Sequence, residues 1–179
     1  ARQSECAEMM KQAVAEAAPA GNSYPEAFFR EDWDRVVQQL DISTLDEYLK
    51  ASRTGRGTAL SRQQRAQIWP VFARYRLELT ARELREWAEL SHLARRQLEQ
   101  SGAPAEYRAV LADEVQDFSR SELQLLRAIA PQGPDSMMLV GDGHQRIYGL
   151  PAVLSHCGID VRGRGRRLKL NYRTTEQIG

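Results

Sequence analysis

Two short apolar runs, "YRAVLAD" at 107–113 and "MMLVGD" at 137–142, each stop on acidic residues. Between them Ser119 and Glu122 form a capping-box pattern, and Leu123, Leu126 and Ile129 follow at helical spacing. Pro131, Gly133 and Pro134 end that helix. An apolar strand, a helix and a second apolar strand imply a parallel sheet covered by helices. Both runs are therefore expected to be buried strands. "RLKLN" at 167–171 reads as another.

The preceding hundred residues have a different texture. Cys6, Met9, Met10, Ala13, Val14 and Ala17 fall on one stripe of a helix. Pro19, Gly21, Asn22 and Pro25 break the chain. A short helix is expected around Trp33, Val36, Val37 and Leu40. Thr44 with Glu47, Ser61 with Gln64 and Thr80 with Glu83 each match the capping box, so each predicts a helix start. Pro70 is expected to kink or split the second of these helices. The third would carry Leu84, Trp87, Ala88, Ala94 and Leu98 and end at Gly102. Trp33, Trp69 and Trp87 read as core. The expected fold is α/β, a partial parallel sheet over 104–179 with a helical subdomain over 1–103.

Composition narrows the function classes without choosing one. Apolar residues at 42% supply a real core, and a net charge of +1 argues neither for nor against a polyanionic partner. Cys6 and Cys157 stand far apart with no metal-ligand spacing. No apolar run reaches membrane length, which points away from a membrane partner and towards a cytoplasmic setting. The first residues, "ARQSE", lack a methionine and the last, "TTEQIG", read as a helix start. The sequence thus reads as a fragment.

Ligands of open parallel sheets sit outside the carboxyl ends of the strands. Asp113 and Glu114 end one run and Asp142 the other. If the strands are neighbours, the carboxylates converge and call for a cation. Magnesium, which takes one or two carboxylates and fills its shell with water and phosphate oxygens, suits such a site. A neighbouring carboxylate can then accept a proton from an attacking water. The bland alternative is ordinary strand ends and a helix cap. The same acids also fit a metal-dependent nuclease.

Three stretches taken in order are far more specific. "LADEVQDFS" (111–119), "LVGDGHQRIYG" (139–149) and "LKLNYRTTEQI" (168–178) resemble the DE-x-QD, GD-x-x-Q-x-IY and NYR motifs of the UvrD/Rep/PcrA family of superfamily 1 helicases. The resemblance covers the last seventy residues or so. It implies a RecA-like ATP-binding domain of the P-loop type, with the helical part standing where the family has a helical insertion. It implies that Asp113 holds Mg2+, that Glu114 activates the water attacking the γ-phosphate of ATP, and that Gln116 and Asp117 couple this site to its neighbours. Gln145 would sense the γ-phosphate, Tyr172 would stack on adenine, and Arg173 would contact the γ-phosphate as arginines do in phosphoryl transfer. The implied activity is ATP-driven 3′ to 5′ movement along single-stranded DNA, a DNA-repair type of motor.

Some features depart from the pattern. Tyr148 is a candidate for single-stranded DNA contact or for the core. The aromatic residue and arginine usual shortly after it are replaced by Leu150 and Pro151. His144 falls at a variable loop position. "RGRGRR" (162–167) reads as a solvated loop, with a nucleic-acid backbone contact as the alternative. "RTGRG" (53–57) is a loop but not a phosphate cradle, and no Gly-Lys-Ser/Thr sequence occurs. The 179 residues alone are therefore expected to be inactive as an ATPase. A degenerate helicase-fold scaffold binding protein partners through its helices is the rival reading.

Overall fold

The computed structural model describes residues 3–53, 57–102, 106–142 and 154–166. Helix α1 spans Gln3–Ala17 and buries Cys6, Met9, Met10 and Ala13, the stripe expected from their spacing. Helix α2, Glu26–Asp32, follows Pro25 and runs directly into a π-helical turn, Trp33–Gln38. Helix α3 is Leu45–Lys50 and helix α4 is Arg62–Ala81. Both open on complete capping boxes, Thr44 with Glu47 and Ser61 with Gln64, in which each side chain takes the other residue's backbone N–H.

Helix α4 carries the centre of the helical core. Ile68, Val71, Phe72, Tyr75 and Leu79 lie at three- and four-residue steps and are all buried. Phe72 meets the edges of Phe29 and Tyr48, with ring centroids 6.2 and 5.5 Å apart. Pro70 does not split this helix, which runs unbroken through it. Burial of residues on both sides of Pro70 holds the helical path despite the lost backbone donor.

Buried polar groups tie the helices together. Asp32 is fully buried and takes the Arg53 guanidinium at 2.6 Å and the Tyr48 hydroxyl. Arg53 thus serves an internal ion pair. Glu86 accepts from Arg30 and from the Trp33 indole, each at 2.6 Å, and from Gln38. Trp33 and Gln38 stand five residues apart. The wider winding of the π turn brings both to this one carboxylate.

The Thr80–Glu83 box does not form. Helix α4 continues to Ala81, the Thr80 hydroxyl bonds back to the Arg76 carbonyl, and Glu83 takes a left-handed backbone with φ 56°. Helix α5 starts later, at Trp87, and runs to Ser101 with Gly102 in the left-handed region after it. Trp87 is 82% exposed and is not core; Trp33 is buried and Trp69 packs partly against the main cluster. Leu98 is exposed as well, and Leu84 sits in the turn before α5.

Strand β1, Val110–Ala112, and strand β2, Met137–Leu139, form a parallel pair joined through helix α6, Arg120–Ile129. Val110 pairs with Met137, Leu111 with Met138 and Ala112 with Leu139. Ser119 and Glu122 make the expected capping box of α6. The strands are shorter and less covered than expected. Ala112 is buried, but Leu111 is 75% and Met138 58% exposed on the face away from Leu123 of α6. A second apolar cluster forms around Leu123, Cys157 and Ile159, with Phe118, Met137, Leu139 and Leu154 against it. Helix α5 packs along α6. The strand expected at 167–171 lies outside the described residues; among the described residues the sheet has two strands.

Candidate hydrolytic site at the strand ends

The parallel register fixes where the acids fall. Because Ala112 pairs with Leu139, the two chains leave the sheet side by side. Val140 N–H donates to the Ala112 carbonyl at 2.8 Å, and Val115 N–H donates to the Val140 carbonyl at 3.0 Å. The ladder therefore outlasts the strands and carries the order of the sheet into the turn at 113–117.

Within that turn the backbone is sharply folded. Asp113 Oδ1 accepts the Glu114 N–H at 2.8 Å. Glu114 takes a left-handed conformation with φ 53°, which non-glycine residues rarely adopt and which Asp41, Glu83 and Asp135 share. A single 3-10 turn, Val115–Asp117, follows, with Asp117 N–H on the Glu114 carbonyl at 2.9 Å. Asp113, Glu114 and Asp117 are exposed, and Gln116 is half-buried.

Gln116 joins the two strand ends. Its Nε2 donates to Glu114 Oε2 at 2.5 Å, and its Oε1 accepts the Asp142 N–H at 3.0 Å. Gly141 is what makes room for it. A Cβ built at Gly141 would lie 2.5 Å from Gln116 Oε1 and 3.0 Å from the Val115 backbone nitrogen. The sequence shows the acids at once. It gives no sign that Gln116 bridges to Asp142, although a glycine directly after an apolar strand is a signal of close backbone approach.

Among the described residues no group of three or more His, Cys, Asp and Glu could hold a metal ion. The donor set is instead two exposed neighbouring carboxylates at the carboxyl end of a parallel sheet. That set fits magnesium, which takes few protein carboxylates and leaves the rest of its shell to water and phosphate oxygens. Gln145, Tyr148, Tyr172 and Arg173 lie outside the described residues, as do His144, Leu150 and Pro151. Of the "RGRGRR" stretch, Arg162 pairs with Asp160 at 3.0 Å on the surface. A cleft of about 530 Å³ between α5 and α6, lined by Arg95, Arg127 and His156, shares no residue with the strand-end turn.

The family model for the UvrD/REP helicase N-terminal domain matches residues 3–152, the strand-end turn included. The chain belongs to the UvrD/REP helicase family. The helical part, which the motifs do not cover, falls inside the same match. Among curated proteins, the chain is similar to an ATP-dependent helicase/nuclease subunit from Lacticaseibacillus casei and to its counterpart from Lacticaseibacillus paracasei. Each is 38% identical over 82 residues, which cover 40% of this chain and 7% of the relative. The chain thus aligns with a small part of those relatives. No solved structure matches it. No described helix of this helicase-family chain is long and apolar enough to cross a membrane.

Proposed function

We propose that these residues form the hydrolytic part of an ATP-dependent DNA helicase motor of the RecA-like, P-loop type that moves 3′ to 5′ along single-stranded DNA. The observation that carries the reading is the union of the "DEVQD" turn with the "GD" strand end through Gln116, in a chain of the UvrD/REP family. In this reading Glu114 takes a proton from the water that attacks the γ-phosphorus, while the bond from that phosphorus to the bridging oxygen of ADP breaks. Asp113 would hold magnesium, whose charge offsets that of the phosphates. Gln145 and Arg173 would face the γ-phosphate, Tyr172 the adenine and Tyr148 the DNA. The setting would be cytoplasmic.

The 179 residues contain no Gly-Lys-Ser/Thr cradle. On their own they are expected to turn over ATP poorly or not at all. Magnesium-dependent turnover by this chain alone, abolished by Glu114→Gln, would contradict that expectation. The motor itself is tested in the natural protein that carries these residues. Single-stranded DNA should stimulate its ATP hydrolysis, and it should displace a strand only when loaded on a 3′ tail. DNA cleavage with magnesium and no ATP, lost on Asp113→Ala, would favour a nuclease instead. Absence of both activities would favour a scaffold.

A further inference from the structure

We infer that Gln116 is a positioning residue for Glu114 and ties the orientation of that carboxylate to the backbone at Asp142. The inference rests on Glu114 being the residue that activates water. The family resemblance leaves Gln116 with only a loose coupling role, and the geometry gives it a definite one. Both ends of its side-chain amide are engaged inside the protein: Nε2 on Glu114 Oε2 at 2.5 Å, Oε1 on the Asp142 N–H at 3.0 Å. A side chain used in this way orients another carboxylate and does not itself reach for a nucleotide.

The arrangement is built. An amide offers a donor and an acceptor at a fixed spacing. Here the donor meets an anion and the acceptor meets a backbone N–H. A hydrogen bond to an ionised group is shorter and stronger than one between neutral groups, so the Glu114 contact is the stiffer of the two. Gln116 sits in a 3-10 turn whose start is the left-handed Glu114 backbone, so the turn fixes the Glu114 backbone while the Gln116 side chain holds its carboxylate. Across the gap, Gly141 has no Cβ, and one placed there would fall 2.5 Å from Gln116 Oε1. Gln116, Glu114, Gly141 and Asp142 therefore form one mechanical unit spanning both strand ends. A shift of the chain at Asp142 pulls on the Gln116 amide and turns Glu114 with it.

The test uses the natural protein that carries these residues, with four forms: wild type, Gln116→Ala, Glu114→Gln and the double variant. Steady-state ATP hydrolysis gives kcat and KM for each, and thermal melting reports the fold. Gln116→Ala is expected to lower kcat roughly tenfold or more with KM within about twofold and melting unchanged, the pattern of lost positioning. In the Glu114→Gln background the same change should cost nothing further, because its effect runs through Glu114. Hydrogen exchange at the Asp142 amide should speed up in Gln116→Ala. A raised KM at unchanged kcat would make Gln116 a nucleotide contact and overturn the inference. So would an unchanged kcat, a full second loss in the double variant, or a kcat loss matched by a fall in melting temperature. Full activity in Glu114→Gln by itself would instead overturn the assignment of Glu114, a separate failure.

Discussion

A side chain at Gly141 would collide with Gln116: a Cβ there would stand 2.5 Å from Gln116 Oε1, and 2.8 Å from Val115 Cγ2. Gly141→Ala must therefore push the 113–117 turn away from the second strand end. Overpacking of this kind typically costs about 1–3 kcal/mol. Urea unfolding of Gly141→Ala should show a loss in that range. A variant as stable as wild type would mean the turn and strand end are not in this close contact.

Glu86 is the point where three parts of the helical core meet. It is buried, and it takes Arg30, the Trp33 indole and Gln38. Glu86→Ala removes one of two carboxylates from the Arg30 guanidinium, which keeps Asp34 and the Tyr75 hydroxyl, and leaves the buried Trp33 indole N–H without its acceptor, a loss of about 1–3 kcal/mol. Glu86→Gln keeps acceptor capacity at one oxygen and should cost less. Chemical denaturation with tryptophan fluorescence reads both, since Trp33 reports the same site. Equal stabilities for wild type and Glu86→Ala would refute the network.

The capping box of α3 makes a pH prediction. Backbone N–H groups of Ser43, then Thr44, hold the Glu47 carboxyl below its ordinary value of 4.5. A depressed folded-state value means stabilisation that is complete above the ordinary value and is lost as pH falls through the folded one. Glu47→Gln keeps a hydrogen-bond acceptor but no charge. It should be less stable near pH 7 by about 0.5 kcal/mol, a figure reduced for the solvent exposure of the cap. The gap between variant and wild type should close below about pH 4. A gap that stays constant down to pH 2–3 would exclude the charge as its source.

Burial pushes the thiols of both Cys6 and Cys157 up from the ordinary cysteine value, and both are free. Little thiolate is then exposed to reagent. Disulfide-exchange labelling at pH 8 should run at least roughly tenfold slower in native protein than in urea. Fast labelling of either residue without denaturant would show that its burial is wrong.

Local chemistry made much of the fold legible. The Ser61–Gln64 and Ser119–Glu122 boxes form because a cap needs only four residues to be right. Thr80 and Glu83 fit the same pattern and fail, because α4 runs past Thr80 to Ala81 and Thr80 bonds back to Arg76. Tertiary packing, not the pattern, decides where that helix stops. Trp87 likewise reads as core by residue type, yet it opens α5 on the exposed side. At the site, Asp113 and Glu114 are visible because acids end an apolar run. The clamp between Gln116 and Asp142 is not, since it depends on the pairing of Ala112 with Leu139 across a whole helix.

The central claim is that Glu114 activates water for ATP hydrolysis. Nucleotide binding and turnover measured separately test it most directly, in the natural protein that carries these residues, as wild type and Glu114→Gln. Glu114→Gln should keep ATP affinity within about threefold of wild type and slow single-turnover hydrolysis by at least about a hundredfold, the scale of a lost general base. Hydrolysis at the wild-type rate in Glu114→Gln would contradict it.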